Sequence, residues 1–357
     1  MSATAKISSI DKITSDSPVA RSDDRYARGW HVLGKASTFT SEPQKFDVFG
    51  TRLLVYRGED DQQVHVLDAY CPHMGADLSK GCVRSNSIVC PFHAWVWGRD
   101  GQCEDIPYAK RIPAKAKIKA WPSIEENGLL FVWHDPENNP PIDAQRPRRI
   151  DEYFSGKWTD WNMKEFEIQT HCRELVDNMA DMGHFGPVHY SSISSFRNEQ
   201  DGHTFTQYME GGHDILTEGS TPMTSVATYE GPAYMTTTMT GAMDGTPMKV
   251  HLLVSHTPID HDKFTIRFGV TMEKLAGLTE KQNQAMVDEY TQMNIDSFIQ
   301  DVEIWDNKIR IDNPVLCDGD GPINMVRKWY SQFYMDVADI PEQITRHKEH
   351  VTQINNH

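Results

Sequence analysis

Two cysteine–histidine pairs in the first third of the chain have the residue types of a metal centre. One residue separates Cys71 from His73, two separate Cys90 from His93, and 16 lie between the pairs. Structural zinc sites usually pair cysteine with cysteine and histidine with histidine. Two mixed pairs fit better to a [2Fe–2S] cluster that has two thiolates on one iron and two imidazoles on the other. We therefore expect this cluster and keep zinc as the alternative.

A second group of candidate ligands lies in the middle of the chain. At helical spacing Asp177, Asp181 and His184 fall at i, i+4 and i+7, on one face of a helix that the Gly-Pro pair at 186–187 should end. The resulting bend would let His189 return toward the same point. Two histidines and one carboxylate form the facial triad that holds non-haem iron(II) and leaves positions open for dioxygen.

The third ligand is expected on a long helix over about residues 279–311. Its apolar positions recur at helical spacing, and Asp301 falls on or beside that stripe. A carboxylate pressed toward a core is costly unless it is paired or bound to a metal. We therefore assign Asp301 as the third iron ligand, with Asp306 as the second choice. The alternative without a metal is that Asp301 forms an ion pair with a lysine such as Lys308. Asp177 is expected to support the ligands.

Short β-strands must position the cysteine–histidine pairs. Apolar runs at 52–56, 64–67 and 129–133 are separated by turn residues, which is typical of a small antiparallel β domain. Cys71 follows the run at 65–70, and Cys90 follows a similar run at 87–89. The proline-rich stretch 140–147 then reads as a linker to a second domain.

Composition limits the classes of function. The net charge of −16 argues against nucleic-acid binding and suits either solubility or a basic protein partner. We expect no membrane span, because no apolar run approaches the length of about 18 residues that a spanning helix needs. Six cysteines are too few for a disulfide scaffold, so we expect a cytoplasmic protein.

The order of the two ligand sets resembles that of the Rieske-type non-haem iron oxygenases. Within this family, several stretches are similar to the oxygenase components of bacterial 3-ketosteroid 9α-hydroxylases. These stretches are ARGWH at 27–31, CPFHAWVWG at 90–98, ELVDNMADMGH at 174–184, QDVEIW at 300–305 and RIDNP at 310–314. The disulfide-forming cysteines of respiratory Rieske proteins are replaced here by Ala76 and Phe92.

The resemblance implies an α+β fold, in which an antiparallel β Rieske domain precedes an α+β helix-grip catalytic domain. The expected segments are a flexible tail (1–24), the Rieske domain (25–145), the mononuclear iron domain (146–335) and a C-terminal tail or helix (336–357). The resemblance further implies a homotrimer, in which Asp181 bridges His184 to His93 of the partner subunit for electron transfer.

By the same resemblance, the function is that of a terminal monooxygenase that hydroxylates a steroid-like molecule with dioxygen. A separate flavin and iron–sulfur reductase would deliver electrons from NADH or NADPH. The alternatives are sterol desaturation, hydroxylation of another polycyclic or aromatic compound, a Rieske electron carrier, and a zinc-stabilised binding protein. Methionines concentrated between 209 and 248 would suit a bulky rigid ligand or ordinary sheet packing.

Overall fold

The computed structural model describes residues 25–213, 223–243 and 246–354 of the chain. The predicted tail over 1–24 lies outside these residues. No helix within the described ranges is long and apolar enough to cross a membrane.

Three small antiparallel sheets, β1-β10-β9, β2-β3-β4 and β5-β6-β7-β8, form the first part of the structure. The strands are β1 (Gly29–Lys35), β2 (Gln44–Val48), β3 (Thr51–Arg57), β4 (Val64–Asp68), β5 (Cys82–Arg84), β6 (Ser87–Val89), β7 (Val96–Trp97), β8 (Cys103–Asp105), β9 (Ser123–Glu126) and β10 (Leu129–His134). The strands predicted at 52–56, 64–67 and 129–133 are confirmed within β3, β4 and β10.

Strand β3 shows why the apolar runs are continuous rather than alternating. Leu53 and Val55 pack into one core cluster, whereas Leu54 and Tyr56 pack into another on the opposite face. Because successive side chains of a strand point to opposite faces, a strand buried on both sides needs an unbroken apolar run.

A large antiparallel sheet and one long helix dominate the second part, which confirms the α+β fold. The sheet order is β11-β17-β16-β15-β14-β13-β12-β18 among the described residues. Its strands are β11 (Asn162–Ile168), β12 (Ser191–Asp201), β13 (Thr204–His213), β14 (Met223–Glu230), β15 (Tyr234–Met243), β16 (Thr246–Pro258), β17 (Phe264–Met272) and β18 (Lys348–Val351). The helices are α1 (Arg173–Asp177), α2 (Phe185–His189), α3 (Glu280–Asn307), α4 (Ile323–Ser331) and α5 (Glu342–Thr345).

Helix α3 packs against β11 and β17. A capping box starts it, in which the Thr279 side chain accepts from the Gln282 backbone and the Gln282 side chain accepts from the Thr279 backbone. The helix ends at Asn307, four residues before the predicted end. Beyond the helix, Lys308 and Arg310 both form ion pairs with Glu174.

Two sequence-based expectations are wrong. The single helix through Asp177 and His184 is instead two short helices, because the backbone N–H of Met182 donates to the carbonyl of Asp320 at 3.3 Å. The C-terminal residues do not form a loose tail or a helix alone, because β18 follows α5 and extends the sheet by pairing with β12.

The two parts are joined through a buried polar contact. The carbonyl of Val32 on β1 accepts from Thr257 Oγ1 on β16 and from Arg267 Nη1 on β17, each at 2.8 Å. His31 and His134 of the first part and His256 of the second are all buried. The junction is therefore a packed interface between the two parts of the chain.

Candidate functional site: two metal centres

The first cysteine–histidine pair follows β4 and the second lies between β6 and β7, in two loops with the same internal hydrogen bonds. In the first loop the N–H of Cys71 donates to the Ala76 carbonyl at 2.9 Å, and the Gly75 N–H donates to the Cys71 carbonyl at 2.8 Å. In the second, the N–H of Cys90 donates to the Trp95 carbonyl at 2.8 Å, and the Cys90 carbonyl accepts in turn from Ala94. Each cysteine is thus held at the base of a closed loop.

The four predicted cluster residues come together where these two loops meet. Cys71 and Cys90 are 1% and 3% exposed, and burial raises the pKa of the Cys71 thiol, with the nearby Cys90 acting in the same direction. The imidazole rings of His73 and His93 are 4.6 Å apart between centroids. His73 Nδ1 is buried and has no hydrogen-bond partner among the described residues. Two buried thiols and an uncommitted imidazole nitrogen fit a [2Fe–2S] cluster bound by two cysteines and two histidines.

The three predicted iron residues also converge. His184 immediately precedes α2, His189 ends it, and Asp301 lies on α3. One ligand atom from each of the three lies within 4.8 Å of the others, and His189 Nε2 is 3.2 Å from Asp301 Oδ2.

Both imidazoles have an oxygen partner at Nδ1. His184 Nδ1 donates to the Asp181 carbonyl at 2.7 Å. His189 Nδ1 lies 3.3 Å from Gln300 Oε1 and 3.2 Å from Ser297 Oγ. Acceptors at Nδ1 fix the tautomer in which Nε2 carries the free lone pair, so both Nε2 atoms are available to one metal ion.

The electrostatics of the convergence point favour a cation. Asp301 is 7% exposed, and its ion-pair partner among the described residues is His189 rather than Lys308, which binds Glu174. Burial acts to lower the pKa of His184, but the Asp181 hydrogen bond and the charges of Asp181 and Asp301 outweigh it and raise that pKa. Carboxylates that favour a proton on His184 would equally favour a divalent metal ion. Asp306, the second choice for the ligand, is exposed.

The two other predicted carboxylates have different surroundings. Asp181 is partly exposed, with Oδ2 3.6 Å from His184 Nδ1. Asp177 accepts from Arg327, with Nη2 2.6 Å from Oδ2, and also lies 4.0 Å from Arg310. Helix α1 ends at Asp177, and the Asp177 carboxylate faces α4. These contacts differ from those expected of a residue that supports an iron ligand.

Sequence reasoning missed Ser297 and Gln300, which hold His189. Ser297 precedes Asp301 by four residues and therefore lies on the same helix face, so helical spacing from the ligand could have found it. Gln300 immediately precedes Asp301. Its contact with His189 could not be predicted from the sequence, because the contact depends on where the fold places His189.

A cavity of about 290 Å³ opens onto the three iron residues. Apolar side chains dominate its wall, which includes Met209, Met235, Met239, Leu252, Val254, Phe268 and Phe298. Three of the methionines noted in the sequence thus line the cavity, whereas the Met243 side chain lies outside the described part of the chain. The volume is close to the lower limit of about 300 Å³ for small-molecule pockets.

Family models match both parts of the chain. Residues 29–122 match the Rieske [2Fe-2S] domain, and residues 132–334 match the 3-ketosteroid 9α-hydroxylase C-terminal domain. The fold is shared with dicamba monooxygenase bound to 3,6-dichlorosalicylic acid, with a TM-score of 0.68 and 18% identity over 88% of this chain and 99% of that one.

Sequence relatives agree with these matches. The oxygenase component of 3-ketosteroid-9-alpha-monooxygenase from Rhodococcus rhodochrous is 42% identical over 339 residues, covering 92% of this chain and 87% of the relative. The component of the same name from Mycobacterium tuberculosis (strain ATCC 25618 / H37Rv) is 40% identical over 331 residues, covering 90% and 86%. The chain therefore belongs to the family of 3-ketosteroid 9α-monooxygenase oxygenase components, which are Rieske monooxygenases with a [2Fe–2S] cluster and a mononuclear non-haem iron.

Proposed function

We propose that this chain hydroxylates a steroid by inserting one atom of dioxygen into a C–H bond. The observation that carries the proposal is the apolar cavity that opens onto His184, His189 and Asp301. A compact, largely hydrocarbon substrate would bury its surface against this wall and present a carbon to the iron site. The names of the sequence relatives support a 3-ketosteroid as the substrate.

The iron bound by these residues would supply the activation of dioxygen, with electrons that reach it from the Rieske cluster. The chain's own side chains set the conditions for that chemistry. Ser297 and Gln300 orient His189, while the Asp181 carbonyl orients His184. Phe298 and Met239, which also line the cavity, would present apolar surface to the substrate.

Asp181 is proposed to carry electrons between centres on neighbouring subunits of a homotrimer. Its carboxylate is partly exposed beside His184, so it can contact a second chain while it stays near the iron ligand. In such an assembly His93 of the partner subunit would be its other contact. The first electron donor would be a separate flavin and iron–sulfur reductase that uses NADH or NADPH.

The test is a reaction of the purified oxygenase with a 3-ketosteroid, a reductase preparation and isotopically labelled dioxygen, followed by mass spectrometry. Hydroxylation places one labelled oxygen in the product. A product that has lost hydrogen and gained no label would show desaturation instead. No product, together with a cluster that reduces normally, would show that the substrate assignment is wrong.

A further inference from the structure

An exposed basic segment lies beside the cluster loops. Residues 107–115, with the sequence PYAKRIPAK, follow β8 and are all exposed. We call this segment the basic loop, because it contains Lys110, Arg111 and Lys115 and no acidic residue. The charge of this segment is therefore opposite in sign to the net charge of −16 of the chain.

The three cations of the basic loop form no ion pair within the described ranges of the chain. Several other basic residues of the same part of the structure are paired, as Arg52 is with Asp47 and Arg57 with Glu125. Charges without partners generate a stronger local potential, since no neighbouring carboxylate cancels them.

Apolar side chains in the basic loop are also exposed. Tyr108 is 63% exposed and Ile112 is 40% exposed. Exposed aromatic and aliphatic groups bordered by charge are typical of a surface that another protein covers.

The basic loop is connected directly to the cluster ligands. Trp95 Nε1 donates to Tyr108 Oη at 2.8 Å, and the Trp95 ring stacks on His73 at 4.6 Å with an interplanar angle of 13°. The ring of Tyr108 lies 6.5 Å from that of His93. A protein bound on Tyr108 would therefore bring its own redox centre close to His73 through Trp95, whereas His93 is the histidine that the proposed trimer places against the partner subunit's Asp181.

We infer that the basic loop is the docking surface for the electron donor, and that this donor presents an acidic face around its redox centre. The inference rests on the proposed function, because a donor is required only if the cluster supplies a reaction. Charge complementarity determines the sign of the charge on the partner's face: the net negative charge of the chain repels acidic proteins, whereas the basic loop attracts one next to the cluster. Electrostatic steering of this kind raises association rates by about 10- to 1,000-fold at low ionic strength.

The experiment measures the rate at which the cluster is reduced by a pre-reduced acidic plant-type [2Fe–2S] ferredoxin. Stopped-flow absorbance is recorded for the assembled holoprotein under anaerobic conditions, over a range of salt concentrations. The test variant is Lys110→Glu/Arg111→Glu/Lys115→Glu. The matched control is Lys164→Glu/Lys281→Glu/Lys328→Glu, which changes three exposed lysines without ion pairs in the described structure and brings the net charge to the same −22 from −16.

At low salt the test variant should be reduced about tenfold or more slowly than the control, and the two rates should converge as salt screens the charges. The electron paramagnetic resonance spectrum of the dithionite-reduced cluster should be the same in both variants. Equal rates at low salt would overturn the inference, and so would a change in assembly mass confined to the test variant, since the basic loop would then contact a second copy of this chain. A wild-type protein without a Rieske signal would instead refute the proposed function.

Discussion

Acidification should destabilise this protein through the buried histidines at the junction of its two parts. Burial lowers the pKa of His31 to about 4 and those of His134 and His256 to about 3. The Nδ1 atoms of all three are buried without a hydrogen-bond partner among the described residues. The folded chain therefore holds each imidazole in its neutral form.

The sign of the effect follows from proton linkage. An unfolded histidine has a pKa of about 6.5, so below that pH the unfolded chain binds protons that the folded chain excludes. Stability is fully present above about pH 6.5 and is lost as the pH falls toward the folded pKa values. For one such histidine, the free energy of unfolding should fall by about 2 kcal/mol between pH 7.5 and pH 5.

The assay compares His134→Gln with the wild type, because glutamine stays neutral throughout. Urea unfolding followed by tryptophan fluorescence is measured at both pH values. The free-energy difference between wild type and variant should shift by about 2 kcal/mol in favour of the variant at pH 5. His350→Gln, at an exposed position on β18, serves as the control and should leave the pH dependence unchanged. Parallel losses of stability in the wild type and His134→Gln would refute the reasoning.

Three further predictions concern the carboxylates. Asp301→Ala should lose the mononuclear iron but keep the cluster, so iron content should fall while the reduced Rieske spectrum stays unchanged; retention of all the iron would exclude Asp301 as a ligand. Asp181→Asn should keep both metal centres yet nearly abolish steroid turnover, because the neutral amide cannot replace a charged bridge; wild-type turnover would remove that role. Asp177→Asn should cost about 3 kcal/mol in unfolding free energy, since it leaves the charge of Arg327 without its main partner. Iron content should stay unchanged in Asp177→Asn, and loss of iron there would show that Asp177 supports the ligands after all.

The ligands could be predicted because their chemistry is local. Cysteine and histidine next to short apolar runs indicate both the metal centre and the loops that hold it. Asp301 could be predicted as a ligand because a carboxylate on the buried stripe of a helix needs a cation, and the helical period locates that stripe. The apolar runs at 52–56, 64–67 and 129–133 likewise predicted strands that are confirmed in β3, β4 and β10.

What could not be predicted depends on distant contacts. The break between α1 and α2 arises where residues near 320 close against the chain: a Cβ at Gly321 would lie 2.1 Å from the carbonyl oxygen of Ala180. No pattern within 174–189 carries that information. The addition of β18 to the sheet and the salt bridge of Asp177 with Arg327 likewise join residues about 150 positions apart. In each of these cases tertiary contact overrides the local signal.

The most direct test of the central claim, that one chain carries a Rieske cluster and a mononuclear iron, is a metal analysis of anaerobically purified protein. Iron and acid-labile sulfide are quantified per chain, and an electron paramagnetic resonance spectrum is recorded after dithionite reduction. The account predicts a Rieske signal with about three irons per chain, two of them in the cluster. A Rieske signal with about two irons and no mononuclear iron, even after anaerobic addition of iron(II), would contradict it and indicate an electron carrier.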